Sequence, residues 1–568
     1  MMTSQTTRIL EQINPLRLAG PLFDKELRVA SRRRRFYAMR CVYICLFGIV
    51  VVYTWLLVAR PGHKSTPLVW ASRMSEVGKI VTAAIVWFQF IMAQLLTAIL
   101  LSGAIATEIR HRTLDALLVT PISDVQIVTG KLVSGLLQLV LLLAVSLPLL
   151  AIVRVFGGVP WSFLVCGLCL TFATAVLVGA LSLCLSVTNR QAHQVATNAV
   201  GVCMLFWFCT GMLIAVLVQT SRLSNSTATG ILDLTSPYVV LFRQTRAMLL
   251  ASGPGPVVFP WPVHCLVALG AAGGLLLLSV WRLRKAAAGA MVTASPEGQS
   301  AGAERPRRFS WLGRRAIRPV KGSPIVWKEL CRPRVPRNRR GILSVVFLTI
   351  AIALVVGCVV VLIVVGHAPV ASVCAGAASV FTLLFILDVT TSAAGTIPRE
   401  KEARTWPILL ATPLGNGEIV RGKAFGAIRR SWPLLAVVVI LTLAAMLLAP
   451  EDGRHSESVL YRVGMSAVSL SATLVFLITL GLYVGTRVRT ATMAVVATLG
   501  IYLGTQMLLG FLFLILAVPA SHSSRFVIAN RPFLLSIVSQ VVPAMLYAGA
   551  GLLLARGAVV RLRRNVFS

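Results

Sequence analysis

The chain has 568 residues, 57% of them hydrophobic and only 13% charged, with a formal net charge of +36 and a mean hydropathy of +0.84. A soluble domain carries roughly 25% charged residues, so long apolar runs with charges confined between them exclude a water-soluble core and point to lipid. So strong a positive charge would suit phosphate binding, but membrane proteins gather basic residues in short loops on one side, and their placement decides.

The first 40 residues are polar and basic with no early apolar stretch, so no secretory signal peptide is expected. Apolar runs then predict spans at 40–59, 81–106, 132–153, 162–187, 195–219 and 263–281. A second set follows at 342–366, 370–393, 432–449, 462–485, 493–518 and 533–555. Each approaches the ~20 residues a helix needs to cross a bilayer, and helices are required because lipid offers no water to unpaired backbone groups. The fold class expected is an all-α polytopic membrane protein with about twelve transmembrane helices in two parallel six-helix repeats.

With the N-terminus inside, 42 of the 54 Lys and Arg residues fall in inside segments. That bias places both termini in the cytoplasm and accounts for the charge without nucleic acid. Of the 11 cysteines, all but Cys331 lie in apolar runs, which is no disulfide framework. Cys166 and Cys169 form a C-x-x-C, read as small residues on a lipid-embedded helix rather than a redox or metal pair. The histidines are scattered, and no metal site is expected. Residues 286–317 form a linker, Ala/Gly/Ser-rich and then basic, between units 1–285 and 318–568.

The two halves repeat each other. Gly20-Pro21-Leu22-Phe23-Asp24-Lys25-Glu26-Leu27 returns as Ser323-Pro324-Ile325-Val326-Trp327-Lys328-Glu329-Leu330. Glu108 and Arg112-Thr113 return as Glu400 and Arg404-Thr405, Leu117-Leu118-x-Thr120-Pro121 as Leu409-Leu410-x-Thr412-Pro413, and Gly130-Lys131 as Gly422-Lys423. Ser236-Pro237-Tyr238 is echoed by Arg531-Pro532-Phe533.

Before each first span, apolar positions such as Ile325, Val326 and Leu330 share one helical face, the pattern of a helix lying in the membrane interface with its apolar face down. Lys25-Glu26 and Lys328-Glu329 would then sit at the cytoplasmic surface, as solvated charges of an anchor or as a contact for a partner. Between the second and third spans, Leu114, Leu117 and Leu118 form one stripe, repeated by Trp406, Leu409 and Leu410. The Thr-Pro steps end these short helices. Each stripe fits a groove on the chain's own helices or on another protein. Ser123 and Gln126 read as a capping box opening the next helix.

This order, duplicated over nearly the whole chain, resembles the type-2 ABC exporter permeases: a Lys-Glu amphipathic helix, Glu-x3-Arg-Thr-x3-Leu-Leu-x-Thr-Pro, then Gly-Lys entering a span. The resemblance implies six spans per unit, two units fused in one chain, and a coupling surface for two ATP-binding subunits. It assigns coupling to Lys25, Glu26, Glu108, Arg112, Thr113, Leu117, Leu118 and Thr120, and to Lys328, Glu329, Glu400, Arg404, Thr405, Leu409, Leu410 and Thr412. Trp406-Pro407 replaces Leu114-Asp115, so the two surfaces need not bind equally.

The chain is not expected to be an enzyme. Gly417-x4-Gly422-Lys423 comes near a phosphate-binding loop, but Ala424 follows, without a hydroxyl for magnesium, and the stretch runs into a span. ATP and magnesium are therefore expected on the partner. Within the membrane, Asp388 is either a substrate or proton site or a polar contact, and Gln89 and Gln94 are inter-helix hydrogen-bond candidates. The alternatives are a secondary transporter, which should carry paired intramembrane charges, and a membrane-embedded transferase, which should place carboxylates or histidines in a sizeable loop. The expected setting is a bacterial cell membrane; the substrate is left open.

Overall fold

The computed structural model describes residues 34–58, 67–111, 123–155, 159–188, 192–250, 261–294, 323–331, 349–350, 352–361, 370–448, 459–517 and 532–562. Every regular element among them is a helix. The first half holds α1 (Arg34–Val58), α2 (Pro67–Ser102), α3 (Ala106–His111), α4 (Asp124–Val155), α5 (Trp161–Thr188), α6 (Ala192–Gln219), α7 (Asn225–Thr235), α8 (Pro237–Leu249) and α9 (Trp261–Ala294). The second holds α10 (Pro324–Cys331), α11 (Ile352–Val361), α12 (Val370–Ala394), α13 (Thr396–Glu402), α14 (Trp406–Leu410), α15 (Asn416–Leu447), α16 (Val459–Arg487), α17 (Ala491–Ala517) and α18 (Pro532–Arg561).

Among the described residues, 10 helices are long and apolar enough to cross a membrane. Shorter apolar stretches, Tyr43–Val52 and Ile352–Val361, lie in the predicted spans 40–59 and 342–366. The chain is an all-α polytopic integral membrane protein.

The halves pack alike. In each, the fourth span (α5, α16) lies against the second (α2, α12) and the sixth (α9, α18). Lipid tails give helices little hydrophobic reason to associate, so small side chains and hydrogen bonds hold them. Ser182 and Ser186, one turn apart on α5, donate to the Ala98 and Ser102 carbonyls at 3.0 Å each. Gly481 and Gly485 take that role on α16. A Cβ at Gly481 would stand 2.8 Å from the Ala394 nitrogen of α12.

The seam between the halves runs along α6 against α12 and α1 against α17. Ala98, Val200 and Cys203 share a core there with Leu387 and Leu499. Ser186 Oγ also accepts from the Ile105 and Ala106 amides, which holds α3 to the end of α5. Close by in sequence, His193 at the start of α6 bonds Arg399 of α13 across the seam. Helices α3 and α13 therefore occupy the same end of the bundle.

The capping box is present: Gln126 N donates to Ser123 Oγ at 3.3 Å and Ser123 N to Gln126 Oε1 at 3.1 Å. Two readings need correction. Helix α9 continues to Ala294, into the stretch assigned to the linker, because alanine is the best helix former. The Pro237 and Pro532 echo marks helix starts in both halves, but Pro237 opens the short helix α8 whereas Pro532 opens α18, which itself carries the last span. Proline suits the first helical turn whatever helix follows.

Substituting Gly481→Ala should lower the melting temperature of the detergent-purified protein, by an overpacking cost of about 1–3 kcal/mol. Gly464→Ala on the same helix, where a Cβ meets nothing within 4 Å, should leave it unchanged or raise it slightly. Equal melting temperatures for the two variants would contradict the close α12–α16 packing.

Candidate functional site

Helix α15 enters the bundle through Gly422 and Lys423, both buried. An ammonium taken out of water needs a carboxylate at hand. Lys423 Nζ has Glu400 Oε1 of α13 at 2.5 Å and Glu329 Oε1 of α10 at 3.6 Å. Lys328 Nζ lies 3.8 Å from the same Glu400 oxygen. Helix α10 reaches this position because α15 is stripped of side chains beneath it. A Cβ at Gly422 would come 2.6 Å from Ile325 Cγ2, and one at Gly426 3.0 Å from Glu329 Cγ. Arg429 donates to the Glu329 carbonyl at the far end of α10.

The expectation that α10 lays its apolar face on lipid with both charges outward is therefore corrected. Ile325 is buried on α15, Glu329 turns inward at 12% exposure, and Lys328 points out at 65%. Glycines one turn apart offer a closer seat than lipid, and Lys423 draws the carboxylate in.

The first half repeats the pair. Lys131 Nζ of α4 meets Glu108 Oε1 of α3 at 3.0 Å, with the lysine almost fully buried. Lys25, Glu26, Arg112, Thr113, Leu117, Leu118 and Thr120 lie outside the described residues. Sequence reading treated Lys131 and Lys423 as starts of spans and did not place them at the site. The 23-residue spacing to a glutamate, kept in both halves, was the signal.

Beyond Glu400 the chain turns sharply. Thr405 N donates to Glu400 O and Arg404 N to Lys401 O, the double bond of a Schellman turn. Arg404 occupies its left-handed position with φ 55°, which glycine would fill without strain. Helix α14 follows. Trp406 is buried, and Leu409 and Leu410 pack partly covered on the core of the second half. Thr412 Oγ1 donates to Leu409 O at 2.5 Å. The stripe thus rests on the chain's own helices. Arg404 and Thr405 are exposed, and Ile408 faces outward at 69% exposure.

Helix α13 is tied down on its other side. Lys401 Nζ donates to Thr486 O at 2.7 Å, closing the end of α16. Burial, with Arg489 nearby, pushes that ammonium below the usual lysine range. Glu402 Oε1 accepts from Ala491 N at the start of α17.

The intramembrane candidates each bond a neighbouring helix. Asp388 Oδ2 accepts from the buried Ser431 of α15 at 2.7 Å. Gln89 Nε2 donates to Ser146 of α4. Gln94 Oε1 accepts from Tyr238 of α8 at 2.9 Å. The structure does not bring these three together. The sequence placed Tyr238 in the Ser-Pro-Tyr echo but not beside Gln94. Its ring stands edge-on to Phe90 at 5.0 Å and to Trp207 at 5.2 Å, so α8 is lodged between α2 and α6. Off the candidate spans, on α7, Asp233 is buried against Arg243. Burial still holds its carboxyl above the ordinary range.

Lys423→Met should destabilise the protein by about 3 kcal/mol, since it leaves Glu400 and Glu329 buried without their cation. Glu329→Gln should cost less, because Lys423 keeps Glu400. Thermal unfolding of the two variants in one detergent checks the order; the reverse order would mean that Glu329 is the principal partner.

A search of curated proteins found no match. A family model described as "ABC-2 family transporter protein" matches residues 20–288 and 377–550, one stretch in each half. With the two like-built halves and the membrane-crossing helices, that match places the chain: it belongs to the ABC-2 transporter family, as a membrane permease component.

Proposed function

We propose that this chain is the complete membrane gate of an ATP-driven exporter. Two six-span units, 1–285 and 318–568, are joined by residues 286–317. Both termini face the cytoplasm of a bacterial cell, and two separate ATP-binding subunits supply the force. ATP and magnesium sit on those subunits. Nucleotide-driven closure presses on the short loop helices, and the two units rock about their seam while substrate crosses between them.

The observation that carries this reading is the doubled Glu–Lys pair at one end of the bundle. Each pair welds a loop segment to the span that follows. In the second half the Lys-Glu helix α10 joins the same knot, and Arg404, Thr405 and Ile408 stand exposed beside it. An apolar side chain with a cation next to it, fixed on a rigid base, is suited to seat in a groove of another protein. Arg404 adds a further argument. Holding a non-glycine residue in the left-handed region costs roughly 1–2 kcal/mol, which is understandable if its side chain serves a contact.

Co-expression with an ATP-binding protein encoded nearby should give a complex with two such subunits per chain. Arg404→Gly should raise the melting temperature of the isolated chain yet reduce recovery of the partner, and Ile408→Asp should reduce recovery without loss of stability. Full recovery with both variants would remove α14 from the coupling surface. Transport by the purified chain alone, with no nucleotide-hydrolysing companion, would overturn the whole reading.

A further inference from the structure

At the seam between the halves lies a cleft of about 430 Å³ between α1, α2 and α17, within the roughly 300–1,000 Å³ usual for small-ligand sites. Its walls include Tyr43, Leu96, Ile99, Met493, Ala497 and Gly500, and nearly all of its lining is apolar. Ile501 brings it to the surface, 44% exposed. It lies along the halves of these helices nearer the end that carries α3 and α13. So placed, it opens to acyl chains rather than to water.

Two cations stand at that end of the cleft, and Glu402, whose helix α13 meets the start of α17 there, is engaged by the Ala491 amide. Arg40 precedes Tyr43 by one turn of α1, so both lie on one face. Arg489 is exposed in the turn that opens α17, four residues before Met493. An apolar cleft with cations at its mouth is complementary to an amphiphile with an acidic head.

We propose that the cleft binds a membrane lipid with an anionic phosphate head group, its acyl chain between α2 and α17 and its head group on Arg40 and Arg489. This goes beyond the transport reading and does not depend on it, since binding needs neither nucleotide nor partner.

The test uses the full chain in phosphatidylcholine vesicles doped with phosphatidylglycerol that carries a photoreactive diazirine midway along one acyl chain. Labelled peptides of α2 and α17 should exceed those of α9, whose Leu266 and Leu277 also face outward, by severalfold. The same diazirine on phosphatidylcholine should label α17 several times less. Ala497→Phe, which fills the cleft, should abolish the α17 excess. Arg489→Gln, a surface change that leaves the packing alone, should bring phosphatidylglycerol labelling of α17 down to the phosphatidylcholine level. Labelling of α17 no greater than that of α9 overturns the proposal; it is the result expected if residues 1–33 or a second chain cover the cleft. Equal labelling by the two lipids, or no response to Arg489→Gln, overturns recognition of the head group.

Discussion

A lysine ammonium carried into the end of a membrane helix must find a carboxylate or draw water in after it. Lys131 and Lys423 face that requirement at matching points of the two halves, and each meets it with a glutamate 23 residues earlier. The glutamate sits on a short helix that follows the second span, and the lysine lies two turns into the third. In the second half, satisfying the charge therefore folds the intervening loop back against the bundle and fixes where α14 is presented.

In the second half the same charge recruits a third element. Glu329 can approach Lys423 only because Gly422 and Gly426 let α10 settle onto α15. Helices α13, α10 and α15 are thereby tied to one another. On its far side that piece is held by Lys401 and Glu402 to the turn between α16 and α17, and by Arg399 to His193 of the other half. A push on α14 has packed, hydrogen-bonded routes to the third, fourth and fifth spans of its own unit and to the fifth span of the other. Such stiffness is what the proposed coupling at this loop would require.

Much of this was legible in the sequence, and the exceptions have a common cause. Span positions, the Ser123–Gln126 cap and the duplication depend on composition, local spacing and order, which the chain carries on its face. The inward turn of Glu329 could not be read that way, because Lys328-Glu329 is an ordinary surface dipeptide until Lys423 is known to lie beside it. Trp406, Leu409 and Leu410 form a stripe that would suit a partner as well as the chain itself, and periodicity does not say which. Tyr238 reaches Gln94 across 144 residues, a distance at which no local pattern operates. The end of α9 was missed for a different reason: an alanine-rich stretch serves as linker or as helix, and continuity with the preceding span decided it.

The two halves are alike in backbone logic and unlike in what they offer a partner. Trp406 is the buried anchor that seats α14, and Ile408, two residues on along the helix, is turned outward. The residues aligned with these in the first half are Leu114 and Ala116, both smaller side chains. Truncating buried or contact side chains by several methylene groups changes binding by kilocalories, at roughly 0.8 kcal/mol per methylene. The two halves therefore present unequal surfaces at this loop, if the proposed ATP-binding partners dock there. The fusion of two units in one chain permits this, because each half is free to diverge while the pair of charges that positions its loop is kept.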